Sequence, residues 1–179
     1  MLKHLSTLPN TKQSVNEIID FVGDSPELFA ELMEIFLNGS SRVSQMTSWA
    51  LGHIGEQQPQ LINHYHRELI NELRDYTKHN AVRRNIVRIY QTCEIPEEFE
   101  GELYELALNF VLEPKEAIAV RAFSMRICER IAIRYPDLAP ELIVSIKSIL
   151  SNASSGLKNR GQHTVNDLNK MLRKHNSSN

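Results

Sequence analysis

Apolar residues recur along this chain at intervals of three and four, and no stretch alternates apolar with polar positions, so the pattern predicts helices throughout. Start and stop signals divide the pattern. Ser14 with Glu17 three residues on forms a capping box, Ser25 stands before Pro26, and Asn80 precedes the apolar run 82–93. Gly23, Gly39 and the turn residues at 55–58 end apolar runs. Between these marks the pattern predicts helix pairs at about 13–22 with 26–37, 41–55 with 59–76, 80–93 with 96–112, and 115–134 with 137–151. A last helix follows at about 157–174.

The pairs read as copies of one unit. Each first helix carries an arginine near its start, at Arg42, Arg83, Arg121 and Arg160, giving spacings of 41, 38 and 39. Seven residues past the first three come Trp49, Tyr90 and Cys128, two turns on and on one face; twelve past all four come Ile54, Ile95, Ile133 and Leu172. Proline marks the second helices, because its missing N–H has no partner at the first helical position anyway. Pro26, Pro59, Pro96 and Pro136 each open one, although Pro140-Glu141-Leu142-Ile143 copies Pro26-Glu27-Leu28-Phe29 more closely than Pro136 does. At three, seven and ten residues beyond them lie Phe29, Met33 and Phe36; Ile62, His66 and Leu69; Phe99, Leu103 and Leu106; Ala139, Ile143 and Ile146. Eleven of these twelve are apolar, a single buried stripe per helix with His66 as the exception.

A helix pair that repeats every ~40 residues and cannot cover its own apolar face is the pattern of an α-solenoid. The expected fold is all-α, a right-handed α-α superhelix of about nine helices in antiparallel pairs. It forms one domain over 1–179, with repeats at about 13–39, 40–79, 80–116 and 117–156, a capping helix at 157–174, and flexible tails at 1–12 and 175–179. Residues 42–62, RVSQMTSWALGHIGEQQPQLI, resemble a HEAT repeat, with a Trp-Ala-Leu-Gly-His-Ile run in the first helix and a turn proline opening the second. Residues 115–125, KEAIAVRAFSM, resemble the entry of the repeat's first helix in the form found in small stand-alone bacterial HEAT-like proteins. The resemblance to the HEAT and armadillo-like family covers about 40–174 and implies a fold rather than an activity. The family often has an Asp six residues before the repeated Arg; Phe36, Thr77, Lys115 and Ser154 stand there in this chain, which departs from an Asp–Arg ladder.

Composition narrows the class further. At 179 residues, with two cysteines 35 apart and none at metal-ligand spacing, the chain is long enough for a core and is no disulfide scaffold. Cys93 and Cys128 are expected to be reduced core thiols. The uncharged stretch 43–55 is 13 residues long and carries Ser, Gln, Thr and His, short of the ~20 apolar residues that a bilayer span needs. The opening MLKHLSTLPN is too short and polar for a signal peptide, so a cytoplasmic location without membrane partners is expected, and the Asn-X-Ser acceptors at Asn38, Asn152 and Asn176 carry no weight. Charge is segregated although the total is −2. Residues 147–179 hold six bases against Asp167, whereas residues 80–116 hold four bases against eight acids.

No catalytic fingerprint appears: the chain lacks GxSxG, HExxH, GxGxxG, a phosphate loop and CxxC, so no catalytic residue, metal or cofactor is assigned. The run HYHRE brings His64, His66 and Glu68 close in sequence, but on a helix His64 and His66 point about 200° apart, and His66 reads as a hydrogen-bonded core histidine. Trp49 and His53, one turn apart, could line a base pocket, although the apolar equivalents Tyr90 and Cys128 favour burial. Anion binding falls to arginines: Arg126 and Arg130, in a stripe with Arg134, then Arg84 and Arg88, and Arg160 in the basic end. The plain alternative is an outward face in which Arg126 pairs with Glu129. The acids Glu94, Glu97, Glu98, Glu100, Glu102 and Glu105 would stand near these arginines and oppose a continuous nucleic-acid track.

The expected role is a non-catalytic scaffold that binds a protein or peptide along a repeated surface. The alternative is nucleic-acid binding, because the plan is similar to that of HEAT-like alkylpurine DNA glycosylases. Those are strongly basic with several groove aromatics, while this chain is slightly acidic with one Trp. The polar face of the last helix, with Asn166, Asp167 and Lys170, reads as a cap and favours a monomer.

Overall fold

The computed structural model describes residues 8–177, with side chains to His175. Over them the chain is all-α, as its periodicity predicts: α1 Lys12–Val22, α2 Pro26–Asn38, α3 Ser41–Gln57, α4 His66–Arg74, α5 Asn80–Ile89, α6 Glu97–Leu112, α7 Ile118–Arg134, α8 Ala139–Leu150 and α9 Ser155–Ser177, with 3₁₀ turns at Pro59–Ile62 and Pro136–Leu138. The expected tails fall partly on residues 1–7 and 178–179, outside the described residues. The helices form two compact units that divide between Ile95 and Pro96.

In the first unit α3 is the hub: α1 and α2 pack on one side of it and α5 on another, with α4 against α5. Val15, Ile18, Phe29, Met33 and Phe36 are buried on α1 and α2, and Phe29 meets the Tyr65 ring edge-on at 5.5 Å. Two glycines on one face of α3 set the distance to α5. A Cβ on Gly52 would lie 3.3 Å from the Asn85 Cβ, and one on Gly55 would lie 2.9 Å from Ile89 Cγ1. A side chain at either place would push the helices apart. Between them the buried Asn85 Nδ2 donates to Ser48 Oγ at 3.1 Å.

In the second unit α7 is the hub, packed against α6, α8 and α9, while α8 also packs on α9. Its tie to α9 is again polar and buried: Thr164 Oγ1 donates to Glu129 Oε2 at 3.0 Å, and Arg126 Nη1 donates to Glu129 Oε1 at 2.6 Å. Asn166, Asp167 and Lys170 of α9 are exposed, as expected of a polar outer face.

Two of the repeated arginines bond to backbone of other segments: Arg42 Nη2 of α3 donates to the Leu8 carbonyl ahead of α1 at 2.5 Å, and Arg121 Nε of α7 donates to the Val111 carbonyl in the last turn of α6 at 3.0 Å. Arg83 donates to Asn80 Oδ1 at 3.1 Å and stacks over the Tyr76 ring at 4.5 Å. Arg160 is half-buried on α9.

Several local expectations are corrected. Thr11, not Ser14, caps α1: its Oγ1 accepts from the Ser14 N–H, and Ser14 is buried inside the helix. Ser25 does cap α2, with Pro26 in the first turn. His79 rather than Asn80 caps α5, which ends at Ile89 instead of 93. Gly55 lies within α3, and the helix stops at Gln58. Pro59 and Pro136 open 3₁₀ turns, so that α4 starts only at His66 and α8 at Ala139, close to the Pro140 register; Pro96 is a cap residue. A proline fixes φ and removes a donor, which suits a 3₁₀ turn as well as a first α-turn. The apolar stripe is buried except at Phe99 and Leu106, which are half-buried because α6 turns Glu100, Leu103 and Tyr104 inward. Ile133 is 46% exposed, since α7 runs unbroken to Arg134 whereas the matching Ile95 lies beyond the end of α5.

Two substitutions probe this packing. Glu129→Ala removes a buried carboxylate with two partners and should lower unfolding stability by about 2–3 kcal/mol. Gly101→Ala, on a helix surface where a Cβ meets nothing within 4 Å, should raise it by about 0.5–1 kcal/mol. Urea unfolding followed by circular dichroism measures both.

Candidate functional site

The five arginines offered as anion ligands stand in different surroundings. On α5, Arg88 grips Glu56 with both arms, Nε to Oε1 at 2.7 Å and Nη2 to Oε2 at 2.5 Å. On α7, Arg126 is bound to Glu129 as the sequence suggests, but not on an outward face, because Glu129 is buried against α9; Arg134 donates to Glu100 Oε1 at 2.5 Å. The stripe is therefore held at both ends by carboxylates. Arg130 and Arg160 are half-buried. Arg84 is exposed and its side chain makes no hydrogen bond or ion pair to another described residue.

Arg84 belongs to a facing pair of stripes. On α3, Gln45, Trp49, His53 and Glu56 follow at helical spacing; on α5, Ala81, Arg84, Asn85 and Arg88 do the same. Trp49 Nε1 donates to His53 Nε2 at 3.1 Å, and Arg88 Nη1 lies 3.4 Å from the same nitrogen. For Nε2 to accept, the ring carries its proton on Nδ1. Burial, and then the Arg88 charge, hold His53 below the usual histidine range. Trp49 is half-buried, not packed away like Tyr90 and Cys128, because its N–H finds its partner at the surface. Its ring lines a cavity of about 250 Å³ with Asn10, Gln45, Ala81, Arg84 and Asn85.

A larger cavity of about 590 Å³ lies in the second unit. Glu97, Glu100, Gly101, Tyr104 and Glu105 of α6 form one wall, and Ile131, Tyr135, Asp137 and Leu138 form the rest. Glu100 is buried at the back, where it accepts from Arg134 and from the Tyr135 hydroxyl at 2.8 Å. That bond to a carboxylate raises the Tyr135 hydroxyl, and burial pushes Tyr104 up to about 12, so both stay neutral. Glu97, Glu105 and Asp137 are without a partner among the described residues, which leaves the opening acidic. Sequence reasoning missed Tyr104 and Tyr135. The available signal was the register: Glu97, Gly101 and Glu105 recur every four residues on one face, with Glu100 and Tyr104 beside it.

His66 is the core histidine expected, 2% exposed, with Nδ1 3.2 Å from the Tyr90 hydroxyl. His64 lies exposed in the turn before α4, so HYHRE is not a single helical face. Among the described residues no three His, Cys, Asp or Glu side chains could hold a metal ion, and no helix is long and apolar enough to cross a membrane. Cys93 and Cys128 are buried and form no disulfide, and burial raises the Cys128 thiol.

A family model described as a HEAT repeat domain matches residues 2–168. No curated protein and no solved structure matches the chain.

Trp49 is the single tryptophan, so its emission reports His53 directly. Protonation turns Nε2 into a donor and breaks the indole contact. Emission should change with a midpoint below pH 6.5, and His53→Gln should abolish the step. The depressed pKa also fixes the sign for stability: the contribution of the neutral ring is whole above pH 6.5 and is lost as the pH falls below it.

Proposed function

The chain belongs to the HEAT repeat family, and from that premise we propose that it is a non-catalytic scaffold that binds a protein or peptide partner through the cavity along α6. The cavity itself carries this reading. Its floor is apolar at Ile131 and Leu138, its walls include two neutral tyrosines, and its opening holds three carboxylates without partners. Aromatic faces and carboxylates together attract a cation that has left bulk water, and an apolar floor accommodates a methylene stem. The matching group is a Lys or Arg side chain on an extended segment of the partner, a mode that helical repeats suit. That Cys93 and Cys128 form no disulfide is in keeping with a cytoplasmic protein. Nucleic-acid binding has weaker support, because Arg88 and Arg126 are already neutralised by Glu56 and Glu129 and the larger cavity is acidic.

Fluorescence anisotropy with a labelled Lys-Leu-Arg-Leu-Lys peptide tests the reading against its Glu-Leu-Glu-Leu-Glu counterpart. The basic peptide should bind and the acidic one should not. Gly101→Leu, which sends a side chain into the cavity, and the double variant Glu97→Gln/Asp137→Asn should each weaken binding at least about fivefold, a loss of roughly 1 kcal/mol. Equal binding by all three proteins would refute the assignment.

A further inference from the structure

We propose that the small cavity between α3 and α5 is a carboxylate-binding site, with Arg84 as its anchor. The inference does not depend on the scaffold reading, since the site lies in the other unit and uses none of the α6 residues.

Three polar side chains converge there without partners. Arg84, Gln45 and Asn10 line the cavity, and none of their side chains makes a hydrogen bond or ion pair to another described residue. The Arg84 guanidinium supplies donors in a flat fork, and the two amides supply further N–H groups, a set that matches the two oxygens of a carboxylate. Around them the walls are fixed. Trp49 is held by His53, whose nitrogen also faces Arg88, and Arg88 is clamped by Glu56. Asn85 is tied to Ser48, and the Arg42 bond to the Leu8 carbonyl holds the segment that carries Asn10. A site whose walls are already ordered loses little side-chain freedom when a ligand enters.

Charge and size choose the ligand class. The Arg88 charge is balanced by Glu56, so Arg84 is the uncompensated cation on the cavity wall, and Lys12 adds positive potential near His53. One open guanidinium suits a monoanion better than a phosphate dianion, which draws on several cations or a row of backbone N–H groups. About 250 Å³ leaves room for a short acid with its carbon chain against the indole of Trp49. Two sources share this chemistry: a free small acid, and an Asp or Glu side chain of a partner.

Trp49 emission at pH 7.5 provides the readout. The folded wild-type chain is titrated with butyrate for the free acid, N-acetyl-glutamate α-amide for the side chain, and inorganic phosphate. At least one carboxylate should give a saturable change with a Kd on the order of millimolar, tighter than phosphate. The probe that binds more tightly names the source. Arg84→Gln, at an exposed position that leaves the fold intact, should weaken the carboxylate about tenfold, the effect of losing one charge-assisted hydrogen bond. Arg126→Gln in the second unit should leave binding unchanged. No saturable change with either carboxylate, tighter binding of phosphate, or binding that survives Arg84→Gln would each overturn the assignment. None of these results bears on the basic peptide, so the two readings fail separately.

Discussion

Each unit rests on the contact between successive first helices, α3 on α5 in one and α7 on α9 in the other. A helical hairpin buries one stripe of its own, and the face left over is apolar enough to require a neighbour. What brings the neighbour close differs between the units. In the first, Gly52 and Gly55 remove the side chains that would stand between the helices, and Ser48 with Asn85 supplies one buried hydrogen bond. In the second, Glu129 reaches Thr164 across the interface. The two ties join residues 37 and 35 apart, in each case four residues, about one helical turn, short of the local repeat spacing of 41 and 39. The facing stripes that carry Trp49, His53, Arg84 and Arg88 exist only because α3 and α5 approach so closely.

Charge then divides into structural and available groups. Glu100 and Glu129 are buried carboxylates, and each is satisfied by an arginine and a hydroxyl: Arg134 with Tyr135, and Arg126 with Thr164. A carboxylate in such a place would be costly alone, so its partners are committed to it. Arg88 is engaged differently, by both oxygens of the exposed Glu56, which balances its charge at the surface. Beside the two cavities, the charged groups left open are Arg84 in the first unit and Glu97, Glu105 and Asp137 in the second.

The fold class and the repeat were legible in the sequence because both follow from spacing, which the chain displays directly. Ser25, Pro26 and the polar face of α9 did what their types predict. Proline was legible as a boundary but not as a helix type: Pro59 and Pro136 begin 3₁₀ turns, and the α-helix waits for His66 and Ala139. Equal spacing also misled where helices differ in length, as at Ile133. The binding residues were harder to read. Arg84 and Arg88 look alike in sequence, and only Glu56, 32 residues away, separates the free guanidinium from the bound one. The α6 cavity needs Tyr135 and Leu138 to fold back beside Tyr104, a contact that no local pattern announces.

The most direct measurement is a double-mutant cycle across the α3–α5 contact, with Gly55→Ala, Ile89→Ala and both, read as unfolding free energies. A methyl at Gly55 would meet Ile89 Cγ1 at 2.9 Å and Cγ2 at 3.2 Å, so the first change should be destabilising by roughly 1–2 kcal/mol, overpacking outweighing the gain in helix propensity. Truncating Ile89 removes both of these contacts and leaves the end of the Ile62 side chain, Cδ1 at 3.2 Å, to give way. The double variant should therefore be more stable than the sum of the single effects by about 1 kcal/mol or more. Additivity to within about 0.5 kcal/mol would mean that the two helices are not held at the distance on which the rest of the structure depends.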